Sequence, residues 1–272
     1  MFAFVKLALI AFFLNCALGS KAGNQSTMLS QICADDSLRA RLALYLPSKE
    51  KNIGIGMVVC PGGSYAFVSD HNEGTPIGKW LAENGVTALV LNYRLPQGEF
   101  QRTLKDAFDA IRLLKTNASA LGIKTDKVGI WGSSAGGHLA ATVSTHFMDS
   151  LSYPHFTILY YPVISSRKDL IHQRSFRNLL GDKAGTDRFA DFSAELCVTS
   201  STPPALLLLS DDDSTVNPLN SIVYYEALKR YAIPASIYVF PVGKHGYGMT
   251  ESCPYLNLSK ELVLDWLVKI IK

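Results

Sequence analysis

Apolar and polar positions along the chain follow two distinct periods. "RARLALYLP", Arg39 to Pro47, alternates residue by residue through its middle, the pattern of a half-buried strand. "IGIGMVVC", Ile53 to Cys60, is a continuous apolar run, which suits a strand covered on both faces. Similar runs follow in "TALVLNY" (Thr87 to Tyr93), "KVGIWG" (Lys127 to Gly132), "FTILYYP" (Phe156 to Pro162), "ALLLLS" (Ala205 to Ser210) and "SIYVF" (Ser236 to Phe240). Between them apolar residues recur at steps of three and four, as in Leu104, Ala107, Phe108, Ile111 and Leu114, and again in Leu262, Trp266 and Ile270. Each set predicts an amphipathic helix. Strand and helix in alternation predict an α/β fold, a mostly parallel central sheet with helices on both faces. Ligands of such sheets sit at the carboxyl ends of the strands, which is where chemistry is to be sought.

Composition narrows the picture. With 272 residues, 48% hydrophobic and 18% charged, the chain can bury one substantial core, which predicts a single large α/β domain over residues 20–272. A net charge of +3, with no basic run, offers no footprint for nucleic acid or an anionic membrane. Residues 1–19 stand apart. Lys6 precedes the apolar run "LALIAFFLNCALG", short of the ~20 residues of a membrane span, and Ala17-Leu18-Gly19 supplies the small residues of a cleavage site. This predicts a cleavable signal peptide and a secreted or periplasmic chain. Asn15 stands where a lipoprotein anchor on Cys16 would need a small residue, which argues against that anchor. Cys33, Cys60, Cys197 and Cys253 then remain in a compartment that permits disulfides, with spacings that fix no pairing. There is no C-x-x-C or H-E-x-x-H, so no metal and no cofactor is expected. Oligomeric state has no signature here.

The chemistry centres on "WGSSAGGHLA", Trp131 to Ala140, where a strand passes into a small-residue helix. A nucleophile on so sharp a turn needs tiny residues two positions before and after it, because strand and helix nearly touch. Ser134 has Gly132 and Gly136 there, whereas Ser133 has Trp131 and Ala135. A serine hydroxyl needs a base. His245, in the glycine-rich turn "FPVGKHGYGM" after the last strand, is the best placed of six histidines; His71, in the loop after "PGGSY", reads as a substrate or structural contact. The orienting carboxylate is sought between serine and histidine at another strand end. "SDDDSTVNP" holds three aspartates, of which Asp213 fits a frame of Asp three residues before Val and a proline turn, leaving Asp211 and Asp212 as turn or capping residues. After strand Ile53 to Cys60, the "CPGGSY" turn can aim the amides of Gly63 or Ser64, together with Ala135 N–H, at a developing oxyanion.

The succession "VVCPGGSY", "KWLAENGVTALVLNYRLP", "VGIWGSSAGGHLAA", "YYPVIS", "RNLLGD", "STPPALLL", "DSTVNPLNSIVYYEALK" and "GKHGYG" resembles acetyl xylan esterase-like carbohydrate esterases of the α/β-hydrolase superfamily, near the prolyl oligopeptidase and dienelactone hydrolase groups. The resemblance runs over residues 38–271. It implies a Ser134–His245–Asp213 triad and a secreted serine esterase acting on acetylated xylan or xylo-oligosaccharides. Two departures stand out: Gly62-Gly63-Ser64 where G-G-G is usual, leaving open which amide donates, and Asn217-Pro218 where Pro-Pro is usual. Tyr65, Tyr161 and Tyr247 flank the motif loops as candidate sugar contacts. The same triad serves feruloyl or general carboxylesterases and formamidase- or peptidase-like amide hydrolases, and an inactive hydrolase fold used as a binding module is the alternative of a different class.

Overall fold

The computed structural model describes residues 25–182, 186–251 and 253–270. The expected signal peptide, residues 1–19 with Cys16, lies outside them. The chain divides into two compact units after Ala40. In the first, residues 25–32 are helical and Asp36–Arg39 makes one further turn, capped by the Asp35 carboxylate, which accepts the Leu38 N–H at 3.0 Å.

The second unit, from Arg41 onward, is built on seven strands: β1 (Leu42–Tyr45), β2 (Ile55–Cys60), β3 (Val86–Leu91), β4 (Val128–Ser133), β5 (Thr157–Tyr160), β6 (Ala205–Ser210) and β7 (Ala235–Phe240). They lie in the order β1-β3-β2-β4-β5-β6-β7, with β1 antiparallel to β3 and every other pair parallel. All seven apolar runs are strands. Their ends fall inside or within a residue or two of the runs, because the flanking residues belong to turns rather than to the ladder. Residues of β2 to β6 are buried on both faces, the physical reason for unbroken apolar runs; β1 and β7 at the two edges are only partly covered.

The helices that matter for the site are α1 (Asp70–Glu73), α2 (Thr75–Glu83), α3 (Phe100–Thr116), α4 (Ser134–Thr145), α5 (Gln173–Leu180), α6 (Leu219–Arg230) and α7 (Leu256–Ile270). Ile77 and Leu81 of α2 join Val263, Trp266 and Leu267 of α7 over alternate strand residues Met57, Val59, Ala88, Val90, Ile158 and Leu206. On the other face α3 and α4 pack together, and Leu114 of α3 lies over Gly56. Buried Asp106 of α3 accepts from Arg94 N–H, the Arg94 guanidinium and Arg41, tying the start of α3 to the ends of β1 and β3.

The spatial order β3-β2-β4-β5 sends the connection leaving β2 to one side, toward β3, and the connection leaving β4 to the other, toward β5, so the two diverge between the ends of β2 and β4. This crevice lies at the carboxyl ends of the central strands, where the parallel topology puts ligand sites.

Candidate active site

Ser134 follows directly on β4 and opens α4 with a φ of 53°, a left-handed conformation that a non-glycine residue adopts only under constraint. The constraint is the close approach of its neighbours. A Cβ on Gly132 would lie 2.1 Å from the Gly136 carbonyl oxygen, and one on Gly136 would lie 2.0 Å from that of Cys60 at the end of β2. Ser133 is a strand residue with 0% exposure, and its hydroxyl has no partner among the described residues. Ser134 opens on a cavity of about 260 Å³ lined also by Gly63, Ser64, Phe67, Glu73, Thr215 and His245.

His245 and Asp213 meet this serine. Ser134 Oγ lies 2.8 Å from His245 Nε2, and His245 Nδ1 lies 2.7 Å from Asp213 Oδ2. Asp213 follows β6, and its other oxygen accepts the N–H groups of Thr215 and Val216, both at 2.9 Å. A carboxylate held this way accepts a hydrogen bond from Nδ1–H, which leaves Nε2 as acceptor for the serine O–H. Asp212 points away from this chain: its Oδ1 accepts the Lys244 N–H at 2.8 Å and so fixes the residue before His245.

The turn after β2 is organised by its carbonyls. Gly62 C=O accepts from Ser69 N–H at 3.0 Å, and Gly63 C=O accepts from Ala66 and Phe67 N–H at 2.9 and 3.3 Å. In a trans peptide the N–H points opposite to the C=O, so the amides of Gly63 and Ser64 face the other way, and among the described residues neither has an acceptor. Gly63 has a φ of 121°, which demands glycine, and Ser64 and Tyr65 are left-handed too, at 56° and 59°. Asn178 of α5 donates to Ser64 C=O at 2.8 Å, and Tyr93 donates to Pro61 C=O at 2.8 Å. Ala135, first residue after the serine, is buried at the start of α4, where helix amides have no acceptor of their own. These are the donors expected of an oxyanion site.

The tyrosines sit elsewhere than a sugar contact requires. Tyr65, Tyr161 and Tyr247 are 2%, 2% and 5% exposed, and none lines the cavity. Each has apolar ring surface that the core can bury, so they are corrected to internal supports. Tyr65 O–H lies 2.9 Å from His138 Nδ1, while His138 Nε2 lies 2.8 Å from Phe192 C=O. A carbonyl only accepts, so Nε2 carries the proton and Nδ1 accepts from Tyr65. Burial pushes the His138 pKa down to about 4, so the ring is neutral. His71 is exposed on α1 and also off the cavity wall.

Two residues at the site escape a reading of sequence alone. Phe67, 51% exposed, stands at the mouth. Glu73, 3% exposed, accepts Gly62 N–H at 2.8 Å on one oxygen and Tyr161 O–H at 2.8 Å on the other. Burial raises its carboxyl above the ordinary range, and these two donors pull it back. The only signal for Phe67 is its place two residues after the turn; a glutamate in a polar loop gives none. Cys33, Cys60, Cys197 and Cys253 are all free thiols, and no cluster of His, Cys, Asp and Glu among the described residues could hold a metal. No helix among them is long and apolar enough to cross a membrane.

Serine, aspartate and histidine in that chain order, each beyond a strand end of one parallel sheet, define the class: this is an α/β-hydrolase fold. The family model BD-FAE matches residues 42–228, and the chain belongs to that family of carbohydrate esterases. It is 34% identical over 239 residues to an acetylxylan esterase of Xylanibacter ruminicola, covering 86% of this chain and 49% of that protein. It is 33% identical over 204 residues to endo-1,4-beta-xylanase B of Butyrivibrio fibrisolvens, covering 70% of this chain and 32% of that one. The chain thus spans at most about half the length of these relatives. Among solved structures, an acetyl ester-xyloside bifunctional hydrolase from Caldicellulosiruptor lactoaceticus aligns with a TM-score of 0.78 at 34% identity, over 84% of this chain and 87% of that one.

Proposed function

We propose that this protein is a serine esterase that removes acetyl groups from xylan-derived oligosaccharides. The observation that carries the reading is the continuous hydrogen-bonded path from Ser134 Oγ through His245 to Asp213 beside the unpartnered amides of Gly63 and Ser64. His245 Nε2 takes the serine proton as Oγ bonds to the ester carbonyl carbon. The carbonyl oxygen, now negative, accepts from Gly63 or Ser64 and from Ala135. When the carbon–oxygen bond to the sugar breaks, His245 returns its proton to the sugar oxygen. Water then attacks the acetyl-enzyme with His245 as base, and acetate leaves as Ser134 regains its proton. Asp213 holds the imidazole in the tautomer that each step needs and offsets its positive charge.

The acetyl preference is supported by the relationship to an acetylxylan esterase. Phe67 at the mouth of the cavity offers an apolar face to a sugar ring. Acetate release from acetylated xylo-oligosaccharides tests the reading. The native chain is expected to release acetate and S134A to lose at least about ten-thousandfold in kcat/KM. Hydrolysis of p-nitrophenyl acetate with no release from the oligosaccharides would retain the serine mechanism and overturn the substrate.

A further inference from the structure

Glu73 is a buried carboxyl that the proposed reaction does not use. It terminates α1, the single turn between the oxyanion loop and α2, and it lines the catalytic cavity. One oxygen accepts the amide of Gly62, the residue before the first oxyanion donor, at 2.8 Å. The other accepts Tyr161 O–H at 2.8 Å. The Tyr161 oxygen in turn accepts Gly248 N–H at 2.7 Å, three residues beyond His245, and the Tyr161 ring packs edge-on to the imidazole at 4.9 Å between centroids. The neighbouring Asn72 adds two bonds to the same histidine loop, donating from its amide to Gly246 C=O at 2.7 Å and accepting Met249 N–H at 3.0 Å on its main-chain carbonyl. Both loops are therefore referred to one short segment, and Glu73 is the one side chain in it that accepts from each side.

A carboxyl this deep costs desolvation that an apolar residue of the same size would not. Its value lies in having two acceptor oxygens. Gly62 N–H can only donate, so a glutamine would keep its carbonyl oxygen there and turn its NH₂ group to Tyr161, whose O–H then loses its acceptor. We infer that Glu73 is a positioning residue that fixes the oxyanion loop and the histidine loop in one register, through Gly62 on one side and Tyr161–Gly248 on the other.

The inference rests on the serine-esterase reading, so the test is run on p-nitrophenyl acetate, with S134A as control. E73Q is expected to lower kcat/KM about tenfold to a hundredfold, the scale of a small misplacement of catalytic groups. Its affinity for a small boronic acid that forms a tetrahedral adduct on Ser134 should fall by a similar factor, and KM should change little. Y161F should reproduce part of the loss, and E73Q/Y161F should be no slower than E73Q, because both act through one chain of bonds. Where E73Q does not fold, Y161F decides: at least about a threefold loss in kcat/KM, with boronate affinity lost in step, supports the inference. E73Q, or Y161F in its place, at the wild-type rate beside an inert S134A overturns the role of Glu73 and leaves the triad. Multiplying losses in the double variant also overturn it. A fully active S134A overturns both readings.

Discussion

At the scale of single residues, two adjacent serines differ in everything except composition. Ser133 continues a strand and buries a hydroxyl that has no partner among the described residues; Ser134 turns left-handed and meets a histidine. Removing an unpartnered buried hydroxyl removes a desolvation cost. S133A should therefore keep kcat/KM within about twofold and unfold at the same or a slightly higher urea concentration; a loss like that of S134A would refute this division of roles. D213N keeps the shape of the acid while removing the charge that fixes the Nδ1 tautomer, and kcat should fall by up to about 10⁴ with the fold intact by circular dichroism. A fall of less than about tenfold would pass the orienting role to another group. Ser134 is legible in sequence because the steric demands of its turn are written in the glycines on either side. Asp213 among three aspartates is legible only through its spacing to Val216, whose amide it accepts. Glu73 is not legible: the letters H-N-E-G describe any polar loop, and what makes this glutamate unusual is a tyrosine and a glycine brought to it from distant segments.

At the scale of elements, the turn between β4 and α4 exists because the chain has no side chain where strand, helix and the end of β2 converge. G136A would place a methyl group 2.0 Å from the Cys60 carbonyl oxygen, and main chain cannot step aside as a flexible side chain can. Overpacking of this kind costs about 1–3 kcal/mol. G136A should have a lower urea midpoint and a loss of activity larger than the stability change alone explains, since Ser134 moves with the turn. A fully active, equally stable G136A would contradict this origin of the turn. The strands are readable for the same reason that they are central: burial on both faces leaves no polar positions to break the runs. The edge strand β7 carries exposed Tyr238 and Val239, so its apolar letters reflect β-propensity more than burial. The short α1 has no period to read, since four residues make only one turn.

At the scale of the whole molecule, stability and the site share a buried polar pair. His138 on α4 holds Tyr65 of the oxyanion loop, and its ring stays neutral with a pKa of about 4 because burial disfavours the charge. The ordinary histidine value is 6.5. In the unfolded chain the ring takes its proton as pH falls below that value, whereas in the folded protein it does so only near 4. Its contribution is therefore complete above pH 6.5 and is lost as pH falls towards 4, by about 3 kcal/mol in all. Urea midpoints at about pH 7.5 and about pH 5 should differ more for the native chain than for H138Q; equal differences would show that acid sensitivity arises elsewhere. The proposed reaction runs through one hydroxyl, that of Ser134. The decisive measurement is to treat the native protein with a fluorophosphonate, digest it and locate the adduct by mass spectrometry. A single phosphonyl group on Ser134 is expected, absent from S134A and slower to form in D213N. Modification of Ser133, or no serine adduct at all, would contradict the assignment.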